Sequence, residues 1–131
     1  MKHLVFGLLF FSTFFLNACT CSKKEDRDIA KPMSVMEAAG LVQNSFAVLL
    51  DVRDLATAKQ GTPTSAVHMP EKNIEQQIAK VVGSKQVIIC CDSVACGQRV
   101  SADLARKGYK ASFIPSFSEW KKEGLPIRSN W

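Results

Sequence analysis

From Ser34 onward, short unbroken apolar runs alternate with segments whose apolar residues recur every three or four positions. Val35, Ala38, Ala39 and Val42 keep that spacing behind Ser34 and Glu37, which stand three apart as in a capping box, so a helix is predicted over 34–43. "FAVLLD", 46–51, carries no polar residue before its final acid and reads as a strand covered on both faces. Gly61, Pro63 and Pro70 dominate the next stretch and leave only a short helical possibility at 54–59. Ile74, Ile78, Val81 and Val82 line one side of a helix over 71–82, stopped by Gly83. A second buried strand over 86–91 gives way to a polar loop over 92–97. Val100, Leu104 and Ala105 then mark a helix ending at Gly108, and a strand at 110–114 and a helix at 116–123 complete the series.

Strands alternating with helices pair in parallel through crossover connections, which predicts one α/β domain: an open, mostly parallel sheet with helices on both faces. Sites in such sheets lie beyond the carboxyl ends of strands, which singles out the loops starting at Asp51 and Cys91. No internal repeat or low-complexity segment interrupts the pattern.

The first residues follow a different rule. Lys2 precedes thirteen largely apolar residues, Leu4 to Leu16, and then small residues before Cys19. That run is about two thirds of the roughly 20 residues a membrane-crossing helix needs, and it reads as a secretory signal over 1–18. "LNAC" at its end resembles the lipobox of bacterial lipoproteins, in which the cysteine is acylated, by chains such as palmitate, and becomes the first mature residue. Cys19 is then a lipid site, and each buried methylene adds about 0.8 kcal/mol of membrane affinity. The expected address is the cell envelope, facing the periplasm. Thr20, where lipoproteins retained in the inner membrane resemble one another in carrying Asp, leans it towards the outer membrane.

The chain has 131 residues with 17 basic and 12 acidic groups; loss of 1–18 removes Lys2 and leaves 16 minus 12, or +4. Charges of both signs alternate in "SKKEDRD", so 19–32 is expected as a solvated tether rather than a nucleic-acid arm, with the domain over 33–131. Four cysteines remain beside Cys19: Cys21, Cys90, Cys91 and Cys96. Their spacing gives neither the framework of a small disulfide-rich protein nor a Cys-x-x-Cys zinc pair to join His68, which is expected exposed in a loop.

Side chains alternate along a strand, so Cys90 and Cys91 point to opposite faces and only one looks into the loop. A cysteine there meets loop amides and the positive end of a helix dipole, both of which favour a thiolate. From Asp51 onward the chain resembles a single rhodanese-type sulfurtransferase domain. "LLDVRD" is similar to the family's Asp-Val-Arg strand, and Gly61, Ala66 and Pro70 fall on its Gly-His-Ile-Pro-Gly-Ala segment and following proline, with Thr62 and Pro63 replacing His-Ile. The family's active cysteine lies seventeen residues before the glycine of a Leu-x-x-x-Gly-Tyr turn; "LARKGY" puts that glycine at Gly108 and the cysteine at Cys91. "FSEWKKEGLPI" is similar to the family's final helix and turn.

Members with strong thiosulfate activity tend to have glycine third and arginine fifth after that cysteine. Val94 and Cys96 stand there, Pro115 and Ser116 replace a usual glycine pair, and the pattern is closer to members with a second loop cysteine. The resemblance implies that Cys91 takes sulfane sulfur from a small donor as a persulfide, held in a loop of Asp92, Ser93, Val94, Ala95, Cys96 and Gly97, and passes it to a thiol acceptor without metal or organic cofactor. Arg99, about one turn further on, is either an added anion contact or a solvated helix residue. Cys90 is expected in the core, and the resemblance gives Asp51 and Arg53 a structural role. Cys96 stays open between a resolving thiol that attacks a persulfide or sulfenate on Cys91, a structural disulfide partner and a plain loop residue. Two rivals accompany the sulfurtransferase reading: a catalytically silent binding module of the same fold, and a thiol-disulfide protein using Cys91 with Cys96. The oligomeric state is open.

Overall fold

The computed structural model describes residues 30–129. Cys19, Cys21 and the expected signal segment lie outside them. A five-stranded sheet runs in the order β1 (Lys31–Pro32), β6 (Ala111–Phe113), β5 (Gln86–Cys90), β2 (Ala47–Asp51), β4 (Val67–His68), and every neighbouring pair is parallel. A second, two-stranded antiparallel piece pairs β3 (Thr62–Pro63) with β7 (Ile127–Arg128).

Helices cover both faces of the larger sheet. On one side, α3 (Ile74–Val82) and α4 (Val94–Arg106) send Ile74, Ile78, Val82, Val100 and Leu104 against Leu50, Val87, Ile89 and Phe113. On the other, α1 (Val35–Gln43) and α5 (Phe117–Lys122) send Val35, Ala38, Phe117 and Trp120 against Leu49, Ile88 and Ile114. The short α2 (Leu55–Gln60) buries Ala58. No helix among the described residues is long and apolar enough to cross a membrane.

Every α-helix predicted from periodicity is present, and one N-cap arrangement recurs. Ser34, Asp54, Ser93 and Ser116 each accept a hydrogen bond from the backbone N–H three residues on. The first turn of the 71–82 segment is a 3-10 turn, and Gly83 stops α3 at φ 58°, a backbone angle that L side chains resist.

Three expectations need correction. The tether does not run to Pro32, because Lys31 and Pro32 pair with Ser112 and Phe113 at the sheet edge. The polar stretch 92–97 is no loop: Ser93 caps α4, which starts at Val94, so Val94, Ala95, Cys96 and Gly97 form its first turn. His68 is not exposed in a loop; it is half-buried in β4, with Nε2 donating to Arg53 O at 2.9 Å.

Candidate functional site

The two central strands, β2 and β5, pair from Ala47↔Gln86 to Asp51↔Cys90. The chain leaves β2 towards β4 on one side and leaves β5 towards β6 on the other, which opens a crevice beyond their carboxyl ends.

Asp51 closes β2 with no exposed surface. Arg53 Nε and Nη2 reach its two carboxylate oxygens at 2.9 and 2.6 Å, and Thr62 Oγ1 donates to Oδ2 at 2.6 Å. Burial alone raises the carboxyl pKa, but the hydrogen bonds from Arg53 and Thr62 and the guanidinium charge outweigh it and hold Asp51 below its ordinary value. Arg53 also donates to Gly61 O at 2.7 Å and pairs with Asp92 at 3.4 Å, so one guanidinium ties together the strand end, the following loop and the residue after Cys91. Thr62, which stands where the resembling family carries histidine, is the member of this network that sequence reasoning missed; a buried hydroxyl has no periodic signal.

Alternation along β5 decides the two adjacent cysteines. Val87, Ile89 and Cys91 join the α3/α4 core, whereas Ile88 and Cys90 join the α1/α5 core. Cys90 is a free, buried thiol; burial, then the nearby Asp51 charge, pushes its pKa well above the ordinary range and keeps it protonated. Cys91 is 7% exposed, its carbonyl accepts from Phe117 N at 2.9 Å, and its sulfur is bonded to that of Cys96 with the Cα atoms 6.1 Å apart.

That bond follows from the cap. Ser93 Oγ accepts from Cys96 N at 3.2 Å, which makes Cys96 the third helical residue, and side chains in a first turn lean back towards the helix start. Cys96 Sγ is thereby carried over Cys91. The signal was present as Ser93-x-x-Cys96, the spacing that Ser34 and Glu37 share.

Arg99 does not join this group. Both its terminal nitrogens pair with the Glu71 carboxylate, one of them at 3.0 Å, on an exposed surface. Gly97 packs on Phe113, so close that an added Cβ would lie 3.1 Å from the ring. A cavity of about 280 Å³ adjoins the site, walled by Arg53, Gly61, Asp92, Phe117 and Lys121. Both cations lie against the Phe117 ring, Arg53 at 4.1 Å and Lys121 at 5.3 Å from its centroid. A larger groove of about 590 Å³ runs between α3 and α4 and contains no cysteine. Lys107 at its edge pairs with Glu75 and Asp103. Among the described residues no three His, Cys, Asp or Glu side chains gather as a metal site.

An open parallel sheet covered on both faces, with a cysteine where its central strand meets a capped helix, defines a rhodanese-like α/β domain. The family model described as "Rhodanese-like domain" matches residues 34–123, and the chain belongs to that family. It is 29% identical over 91 residues to the thiosulfate sulfurtransferase GlpE of Actinobacillus succinogenes, covering 68% of this chain and 82% of that protein. The GlpE of Actinobacillus pleuropneumoniae serotype 5b is 25% identical over 99 residues, covering 74% and 92%. Two solved structures share the fold. A rhodanese-related protein from Thermoplasma volcanium has TM-score 0.67 at 14% identity, over 76% of this chain and 99% of that one. A thiosulfate sulfurtransferase from Pseudomonas aeruginosa has TM-score 0.70 at 15% identity, over 78% of this chain and 21% of that one.

Proposed function

We propose that this protein is a sulfurtransferase of the bacterial cell envelope that carries sulfane sulfur as a persulfide on Cys91. The observation that carries the reading is the position of Cys91, just beyond the end of β5 and two residues before the Ser93 cap of a 13-residue helix, with its neighbour Asp92 helping to wall a cavity together with Arg53 and Lys121. Its kinship with thiosulfate sulfurtransferases supports the same chemistry.

Reduction of the Cys91–Cys96 bond comes first. The released Cys91 thiolate faces the start of α4, where the amides of Val94 and Ala95 precede the first intrahelical bond and carry partial positive charge. The thiolate attacks the outer sulfur of an anionic donor, and the remainder leaves with the bonding electron pair. A thiol acceptor then takes the sulfur from Cys91. Acylation of Cys19 anchors the domain to a membrane on the periplasmic side, the outer one by the Thr20 criterion, and no nucleic acid is involved.

A second reading, thiol-disulfide exchange through Cys91 and Cys96, is favoured by the bond between them. Steady-state sulfur transfer from thiosulfate to cyanide or to a dithiol, measured on prereduced protein, separates the possibilities. Cys91→Ser should abolish transfer and Cys96→Ser should retain transfer to cyanide. Transfer that survives Cys91→Ser sinks the carrier assignment, and inert thiols in the wild type leave a binding module.

A further inference from the structure

We propose that the reduced protein converts sulfane sulfur to free sulfide, with Cys96 as the built-in acceptor and the observed disulfide as the product left on the protein. The proposal rests on Cys91 as the carrier. What it adds is the fate of the sulfur.

The steps balance. Cys91 thiolate attacks the outer sulfur of a donor such as thiosulfate; the donor S–S bond breaks, and sulfite departs with the electron pair. Cys96 then attacks Cys91 Sγ. The new bond is Cys91 Sγ–Cys96 Sγ, the broken one joins Cys91 Sγ to the transferred sulfur, and that sulfur leaves as HS⁻ with the proton from Cys96. The sulfane sulfur gains two electrons and the two cysteines lose one each. An external dithiol must restore the pair, being oxidised to its own disulfide.

Three features of the fold favour this route over delivery to an outside thiol. Cys96 is held within bonding reach of Cys91 by the Ser93 cap, so it competes at an effective concentration far above millimolar free thiols. Arg99, the cation nearest in sequence to the cysteine pair, is engaged by Glu71 and not by a persulfide. Cys90 faces the opposite core and stays protonated, so it does not divert the exchange. Resetting has a direction too. Cys91 is 7% exposed and Cys96 is the more open of the two, which assigns Cys96 Sγ as the point of dithiol attack and Cys91, at the helix start, as the leaving thiolate.

The test is a single turnover without oxygen. Purified protein, reduced and freed of reductant, is mixed with equimolar thiosulfate, and in parallel with inorganic polysulfide. In the thiosulfate arm wild type should release about one sulfide and one sulfite per chain; in both arms it should lose two titratable thiols and yield a Cys91–Cys96 linked peptide. Cys96→Ser and Cys96→Ala, checked for native melting, should release sulfite but no sulfide from thiosulfate and, with either donor, hold an adduct of about 32 Da, one sulfur atom, on Cys91. A wild-type adduct that persists beside a free Cys96 thiol overturns the proposal while leaving the carrier reading intact. No adduct in any protein, from either donor, removes both.

Discussion

Asp51 and Arg53 show how much burial changes the worth of an ion pair. Both side chains are almost wholly enclosed, so removing the cation strands a carboxylate without solvent. Arg53→Met should cost about 3–5 kcal/mol in chemical denaturation. The Arg99–Glu71 pair has similar bidentate form, but its side chains are 60% and 47% exposed, and Arg99→Ala should cost less than about 1 kcal/mol and leave sulfur transfer unchanged. The pH dependence follows from Asp51. Its folded pKa is lower than the ordinary 3.8, so its contribution is complete above about pH 4 and is lost as pH falls from there towards the depressed value. Urea midpoints of the wild type should therefore decline below about pH 4, and those of Asp51→Asn should start lower and decline less. Asp-Val-Arg is visible in the sequence as a motif, but its third partner, Thr62, is eleven residues away and was reached only through the folded loop.

At the scale of elements, α4 carries most of what is particular to this protein. Its cap converts an expected loop into a helical turn and draws Cys96 back over Cys91. A bond closing so short a segment removes little unfolded-state entropy. Reduction should cost about 2 kcal/mol and preserve the fold, seen as a lower melting temperature with an unchanged far-ultraviolet spectrum. Gly97→Ala tests the contact of α4 with β6. Alanine gains about 1 kcal/mol in helix propensity, but its Cβ would stand 3.1–3.3 Å from three atoms of Phe113, one of them the Cβ fixed to the β6 backbone. Overpacking of about 1–3 kcal/mol outweighs that gain, so the melting temperature should fall by a few degrees. The helix itself was legible from Val100 and Leu104; its true start lay in Ser93-x-x-Cys96, which polar composition disguised as loop.

For the whole molecule, the double-faced sheet was legible because unbroken apolar runs and helical periodicity are local patterns. The strands of two residues were not: β1, β3, β4 and β7 exist only through partners elsewhere in the chain, as Lys31 does through Ser112 and Pro63 through Ile127. The proposed acylation of Cys19 is tested at this scale as well. Cys19→Ala should move the protein from the membrane fraction to the soluble envelope fraction, with the melting temperature of the domain unaltered.

By itself the sequence determined the order of the helices and of the three longer strands, the family resemblance and the opposite orientation of Cys90 and Cys91, because each depends on periodicity or spacing within one segment. Tertiary structure decided that Arg99 meets Glu71, 28 residues away, that Thr62 completes the Asp51 network, and that Asp92, the residue after Cys91, shares a cavity wall with Arg53 and Lys121. These contacts join segments brought together only when both faces of the sheet are covered, and no local pattern encodes such meetings.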